Sequence, residues 1–214
     1  MAPKELNALV LQGGGALGAY QAGAFSALDK ARFSFDWVAG ISIGAINAAL
    51  ICGNSQKDRI PALEAFWNRI TTTRPALAPF WTLAGRHAVS EMAAAEVMMA
   101  GAPGFFRPRF PGTVWPLGPK PALSIYDTSP LEATLIELVD FDLLNDHGPR
   151  LSIGATDVET GNFTYFDSRT TRIDVRHIMA SGALPPGFPP VEIDGRYYWD
   201  GGLVSNTPLQ YVIE

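Results

Sequence analysis

Asp36-Trp37-Val38-Ala39-Gly40-Ile41-Ser42-Ile43-Gly44-Ala45-Ile46-Asn47-Ala48-Ala49-Leu50-Ile51 decides the fold class. Its first four residues, Asp36 and the apolar Trp37-Val38-Ala39, predict a buried strand; Gly40 to Gly44 predict a tight turn, and the alanine-rich Ala45 to Ile51 predicts a helix. The same order occurs just upstream. Asn7 to Gln12 is a second apolar run that ends in Gly13-Gly14-Gly15, and from Ala16 to Lys30 the residues Leu17, Tyr20, Ala24 and Leu28 recur at helical spacing. Two strand–turn–helix units in 50 residues predict an α/β fold, three layers of α/β/α around a mostly parallel central sheet.

The rest of the chain changes character twice. Eight of the 17 prolines fall between Pro75 and Pro121, interleaved with Phe80, Trp81, Phe105, Phe106, Phe110 and Trp115. Residues 74–124 therefore read as a variable lid-like insertion rather than regular sheet, interrupted by one helix from Glu91 to Met99 behind the cap Ser90. Met92, Met98 and Met99 on that helix read as core. Ser129-Pro130-Leu131-Glu132 predicts a capping box opening a helix to about Val139. Leu151 to Thr156 and Phe163 to Phe166 predict a hairpin about Glu159 to Asn162. Asp174 to Met179 predicts a short helix. Asp194-Gly195 predicts a two-residue hairpin turn between Val191–Ile193 and Tyr197–Trp199. Ser205-Asn206-Thr207-Pro208 reads as a helix start, and a chain stopping at Glu214 suggests a longer natural protein.

Composition narrows the functions. The 214 residues fit one domain, 1–214, with 47% hydrophobic and 17% charged residues against roughly 25% charged in an average globular chain. Sixteen Lys and Arg against 21 Asp and Glu give a net charge of −5, which argues against nucleic acid and against electrostatic adhesion to anionic membranes. Membrane contact, where it occurs, is then apolar and peripheral. The single cysteine, Cys52, forms no internal disulfide and reads as a small buried filler. With no signal peptide, and with an apolar run Ile41 to Cys52 far short of the roughly 20 residues a spanning helix needs, a cytoplasmic location is expected. No His/Cys cluster or acidic calcium loop calls for a metal, and no cofactor is expected.

Gly40-Ile41-Ser42-Ile43-Gly44 matches G-x-S-x-G, in which small flanking residues let a strand turn sharply into a helix and expose the serine hydroxyl. Gly13, Gly14 and Gly15 place backbone amides at a helix N-terminus, where a developing oxyanion is stabilised; the amide of Ile43, next to the serine, is a further donor. The same glycines read as G-x-G-x-x-G, so a dinucleotide-binding oxidoreductase is the rival, although Asp36 stands at the wrong end of the second strand for a ribose contact. Asp200-Gly201-Gly202 places a carboxylate beside a tight turn.

Together these three motifs resemble the patatin-like phospholipase family over Leu9 to Leu50 and about His177 to Leu209, and Ala180-Ser181-Gly182-Ala183-Leu184-Pro185 is similar to that family's A-S-x-A-x-P turn. The resemblance implies a lipid acyl hydrolase with a Ser-Asp dyad: Ser42 as nucleophile, Asp200 as base, Gly13, Gly14 and Gly15 as oxyanion loop. Many members carry Arg or Lys where this chain has Leu17. The implied reaction cleaves the carboxylic ester of a lipid or fatty-acyl substrate through an acyl-enzyme, with Phe105, Phe106, Phe110 and Trp115 as candidate acyl contacts. His177 is the rival base among His87, His147 and His177. A catalytically inactive lipid-binding module is the non-enzyme alternative.

Overall fold

A computed structural model describes residues 6–71, 97–109 and 124–214. Phe80, Trp81, His87, Ser90, Met92, Phe110, Trp115 and the 91–96 part of the expected helix lie outside the described residues. The chain begins with β1 (Ala8–Leu11), α1 (Gly18–Lys30), β2 (Trp37–Ile41), α2 (Ile43–Cys52) and α3 (Arg59–Thr71). There follow β3 (Arg107–Pro108), β4 (Tyr126–Asp127), α4 (Ser129–Leu138), α5 (Phe141–Asp146), β5 (Arg150–Asp157), β6 (Phe163–Asp167) and α6 (Val175–Ser181). It closes with β7 (Val191–Ile193), β8 (Arg196–Asp200) and α7 (Leu209–Ile213).

The first two units form as the sequence predicts, with β1 parallel to β2 in the register Leu9 to Val38. Every residue of β2 and of α2 is buried. That explains why neither shows a polar stripe: α2 packs against β2 on one side and α1 and α3 on the other. Ile46, Leu50 and Ile51 each contribute about 1.5–3 kcal/mol by this burial. Strand β2 runs to Ile41, two residues beyond the expected end, so the expected five-residue turn shrinks to Ser42 alone. Glycine makes this possible. A Cβ on Gly40 would run into the Gly44 carbonyl, and one on Gly44 into the Leu11 carbonyl.

Strand β5 organises the rest. Its residues 152–156 pair with β6 along one edge. The other edge is shared: β2 runs parallel to it from Arg150 to Gly154, and β8 runs antiparallel to it from Ala155 to Asp157. With β7 antiparallel to β8, four of the six strands (β1, β2, β5 and β7) point the same way in a sheet flanked by helices. The ends of β2 and β8 thus meet head to head on β5, Ile41 opposite Gly154 and Asp200 opposite the next residue, Ala155.

Both hairpins form. Asp194 and Gly195 have φ of 52° and 80°, the positive pair that a two-residue turn matching strand twist requires. Two expectations are corrected. Ser129 is not a cap: it is the first residue of α4 behind the N-cap Thr128, no side chain caps that helix end, and Asp127 accepts the Ser129 N–H at 3.0 Å and its hydroxyl at 3.0 Å in a local turn. Met98 and Met99 are exposed, not core, at 63% and 82%. Within the proline-rich stretch, β3 makes a two-residue ladder with β4 just beyond it. Among the described residues no helix is long and apolar enough to cross a membrane.

Candidate active site

Ser42 joins β2 to α2 with φ 56° and ψ −126°. A side-chain-bearing residue held there is strained by about 1–3 kcal/mol, and such strain persists only where the surroundings dictate it. Here the Ser181 hydroxyl accepts the Ser42 N–H at 2.9 Å and donates to the Gly154 carbonyl at 2.6 Å. The turn aims the Ser42 hydroxyl at the end of β8, where it donates to Asp200 Oδ2 at 2.7 Å.

Asp200 is fixed at three other points. Its N–H donates to the Ala183 carbonyl at 3.0 Å, its carbonyl accepts from Thr156 Oγ1 at 3.0 Å, and its Oδ1 accepts from the Gly202 N–H at 2.7 Å. The residue is only 3% exposed. Burial pushes its carboxyl above the ordinary carboxylate range, an effect that the hydrogen bonds from Ser42 and Gly202 only partly offset. An exposed aspartate is a weak base toward a serine hydroxyl, and desolvation is what strengthens it.

The glycine loop divides its tasks. The N–H of Gly13 donates to the Asn206 carbonyl at 3.0 Å, and Asn206 Nδ2 donates back to the Gly13 carbonyl at 3.2 Å. Gly13 is therefore not a free donor, which corrects the expectation that it serves an oxyanion. It is a close-approach residue: a Cβ there would strike the Asn206 side chain and stand 3.2 Å from Ser42 Cβ. The amides of Gly14, Gly15 and Ile43 make no hydrogen bond among the described residues. The last opens α2, where unpaired N–H groups and the helix dipole favour negative charge.

An apolar cavity of about 520 Å³ opens on Ser42 and Asp200. Ile43 and Ile46 line it from α2, Trp67 and Ile70 from α3, and Phe105, Phe106, Leu184 and Phe188 complete the wall. Phe105 and Phe106 are thus at the cavity, whereas Phe110 and Trp115 lie outside the described residues. Trp67, Ile70 and Phe188 escaped the sequence reading. The 3–4 spacing of Leu63, Phe66, Trp67 and Ile70 marks a helix, but nothing local says which of them faces a cavity.

The rival bases lie elsewhere. His177 is 4% exposed and completes a capping box at the start of α6, its Nδ1 3.0 Å from the Asp174 N–H and 2.8 Å from Asp174 Oδ1. His147 ends α5 as its C-cap. Asp36 stands before β2, its Oδ2 accepting the Asn7 N–H at 3.1 Å, and the residue after β2 is Ser42, so the acid a dinucleotide site requires at that strand end is missing. Cys52 is buried, and burial pushes its thiol up to about 12, which makes it inert as a nucleophile. No group of three or more His, Cys, Asp and Glu able to hold a metal ion occurs among the described residues.

The family model for patatin-like phospholipases matches residues 9–213. Among solved structures, VipD from Legionella pneumophila superposes with a TM-score of 0.51 at 17% sequence identity, over 95% of this chain and 47% of VipD. The likeness concerns the fold, and the chain spans about half the length of that neighbour. Among curated protein sequences none matches significantly.

Proposed function

The chain belongs to the patatin-like phospholipase family, and from that premise we propose that it is a lipid acyl hydrolase cleaving carboxylic esters with a Ser42–Asp200 dyad. One observation carries the reading: a serine hydroxyl hydrogen-bonded at 2.7 Å to a buried carboxylate, on the wall of an apolar cavity. In the first step Ser42 Oγ attacks the ester carbonyl carbon as its proton passes to Asp200 Oδ2. The carbonyl oxygen becomes an oxyanion, which the amides of Gly14, Gly15 and Ile43 stabilise. Collapse expels the alcohol, which takes the proton from Asp200 and leaves the acyl group on Ser42. Water then repeats the sequence, losing its proton to Asp200, and the fatty acid leaves as Ser42 regains the proton.

The cavity takes the acyl chain in this reading, and residues 74–124 act as a lid-like insertion in a single acyl hydrolase domain. Leu17 and Tyr20 are 72% and 81% exposed beside the glycine loop and suit peripheral contact with a lipid surface. The test is labelling by a fluorophosphonate probe with intact-mass detection, alongside hydrolysis of p-nitrophenyl esters. One label on the wild type and none on Ser42→Ala is the expected result, with loss of turnover and an unchanged fold. Turnover above a trace in Ser42→Ala removes the nucleophile assignment, and an unlabelled, inactive wild type favours a lipid-binding module.

A further inference from the structure

Ser181 is fully buried, and both hydrogen bonds of its hydroxyl run to backbone atoms of the site. It accepts the Ser42 N–H at 2.9 Å and donates to the Gly154 carbonyl at 2.6 Å. Gly154 stands in β5 opposite Ile41, the residue before the nucleophile, and the next residue of β5, Ala155, stands opposite Asp200. The tie therefore runs from the strained serine to the strand on which the carboxylate is registered. The left-handed φ of Ser42 turns its N–H out of the strand pattern, and among the described residues Ser181 is the acceptor it finds. Without that acceptor, a buried donor would be left unsatisfied at the point where the backbone already stores strain.

We propose that Ser181 is a positioning residue: it holds the Ser42 backbone to β5 and so sets the alignment of the Ser42 hydroxyl with Asp200. The proposal rests on the dyad reading. It differs from mere satisfaction of buried polar groups in what it predicts. A structural role lowers stability, whereas a positioning role lowers the chemical rate of molecules that are folded.

The experiment compares wild type, Ser181→Ala, Ser181→Cys and the control Ser152→Ala, well below the lowest Tm of the set. Ser152 is fully buried in β5, the strand that carries Gly154, accepts from Trp37 Nε1 at 2.8 Å, donates to Asp167 Oδ2 at 2.7 Å, and has no contact with the dyad. Two rates are read on folded protein, fluorophosphonate labelling of Ser42 and kcat on p-nitrophenyl butyrate. Misalignment on the ångström scale costs roughly a hundredfold, so Ser181→Ala should lose about 10- to 100-fold in both rates. Its KM should stay within about twofold, because the acyl wall is untouched. Ser181→Cys, near-isosteric with a weaker acceptor, should fall between. Ser152→Ala should lose stability and keep both rates.

Folded Ser181→Ala with wild-type labelling and kcat overturns the proposal, as does a loss no greater than that of Ser152→Ala. If the alanine variant does not fold, Ser181→Cys decides: a reduced rate at unchanged KM supports the proposal, and a wild-type rate overturns it. A wild-type protein that neither labels nor turns over removes the dyad reading, and this proposal with it.

Discussion

The Asp200 carboxyl is under two opposed demands. As the base of the proposed reaction it gains from burial, which raises it above the ordinary range; as a buried charge it weakens the fold. Its folded pKa lies above the unfolded value of about 3.9. Its contribution to stability is therefore fully present below that value and is lost as pH rises through the folded pKa. Asp200→Asn keeps the shape and an acceptor for Gly202 but removes the charge. Turnover should then fall by roughly two to four orders of magnitude, and the Tm advantage of the variant over wild type should grow from acid to neutral pH. Melting curves across that range check this, and a pH-independent difference would disprove it. His177→Gln should leave kcat within about threefold, its ring being a helix cap rather than a base. Ser42 and Asp200 stood out as candidates because the elbow and the D-G-G turn impose short, unusual spacings. Ser181 was visible only as part of the A-S-x-A-x-P turn, and neither its contact with Ser42 nor that of Asn206 with Gly13 was legible, because the partners lie 139 and 193 residues apart in the chain and only folding brings them together.

At the scale of elements, what could be read locally was read. The strand-to-helix switch, placed two residues too early but found, the Asp194-Gly195 turn and the hairpin after Asp157 depend on residues within a few positions of one another. The α4 cap was misassigned because the Ser129 hydroxyl, which could cap a helix starting one residue later, is taken by Asp127, and the helix starts at Ser129 behind Thr128. The aromatic stretch needed tertiary information. Phe105 meets Phe66 and Phe188 at ring-centroid distances of 6.3 and 5.9 Å, and Phe106 meets Tyr126 and Phe188 at 4.7 and 5.4 Å. These rings both pack the segment against α3 and line the cavity. Gln at either position should therefore lower stability and acyl affinity together. The two effects separate in a ratio, because loss of folded protein lowers all substrates equally. Turnover of a dodecanoate ester relative to a butyrate ester should fall about tenfold, and an unchanged ratio would make the rings packing elements only.

Across the whole molecule, β5 places the proposed dyad at one end and a polar anchor three residues away at the other. Ala155 faces Asp200, whereas Ser152 faces Asp167 on β6, roughly 10 Å along the strand. Which edge of β5 receives β8 was beyond the sequence, since pairing between strands over 40 residues apart follows from the packed sheet and not from any local pattern. At the anchor, Asp167 accepts from Arg150 Nε at 2.8 Å, from Ser152 Oγ at 2.7 Å and from the Tyr211 hydroxyl at 3.2 Å. Arg150 lies 3.7 Å from the Trp37 ring centroid, and Tyr211 stacks on Tyr165 at 3.7 Å, so the cluster fastens α7 to the sheet. Burial alone would raise the Asp167 carboxyl, but the bonds from Arg150, Ser152 and the Arg169 amide outweigh it and hold it below the ordinary range. Its contribution is thus present above the unfolded value of about 3.9 and is lost as pH falls through the lower folded pKa. Asp167→Asn removes the charge facing Arg150. A broken buried pair costs about 3–5 kcal/mol. Because the Arg150 side chain is 21% exposed and recovers some hydration, roughly 3 kcal/mol is expected here. At about 2–4 °C per kcal/mol for a chain of this size, Tm should drop by roughly 6–12 °C at neutral pH. The gap to wild type should narrow in acid, where the wild-type carboxylate is itself protonated. Fluorophosphonate labelling of the folded variant should keep the wild-type rate, and a rate loss comparable to that of Ser181→Ala would show that the two ends of β5 are coupled.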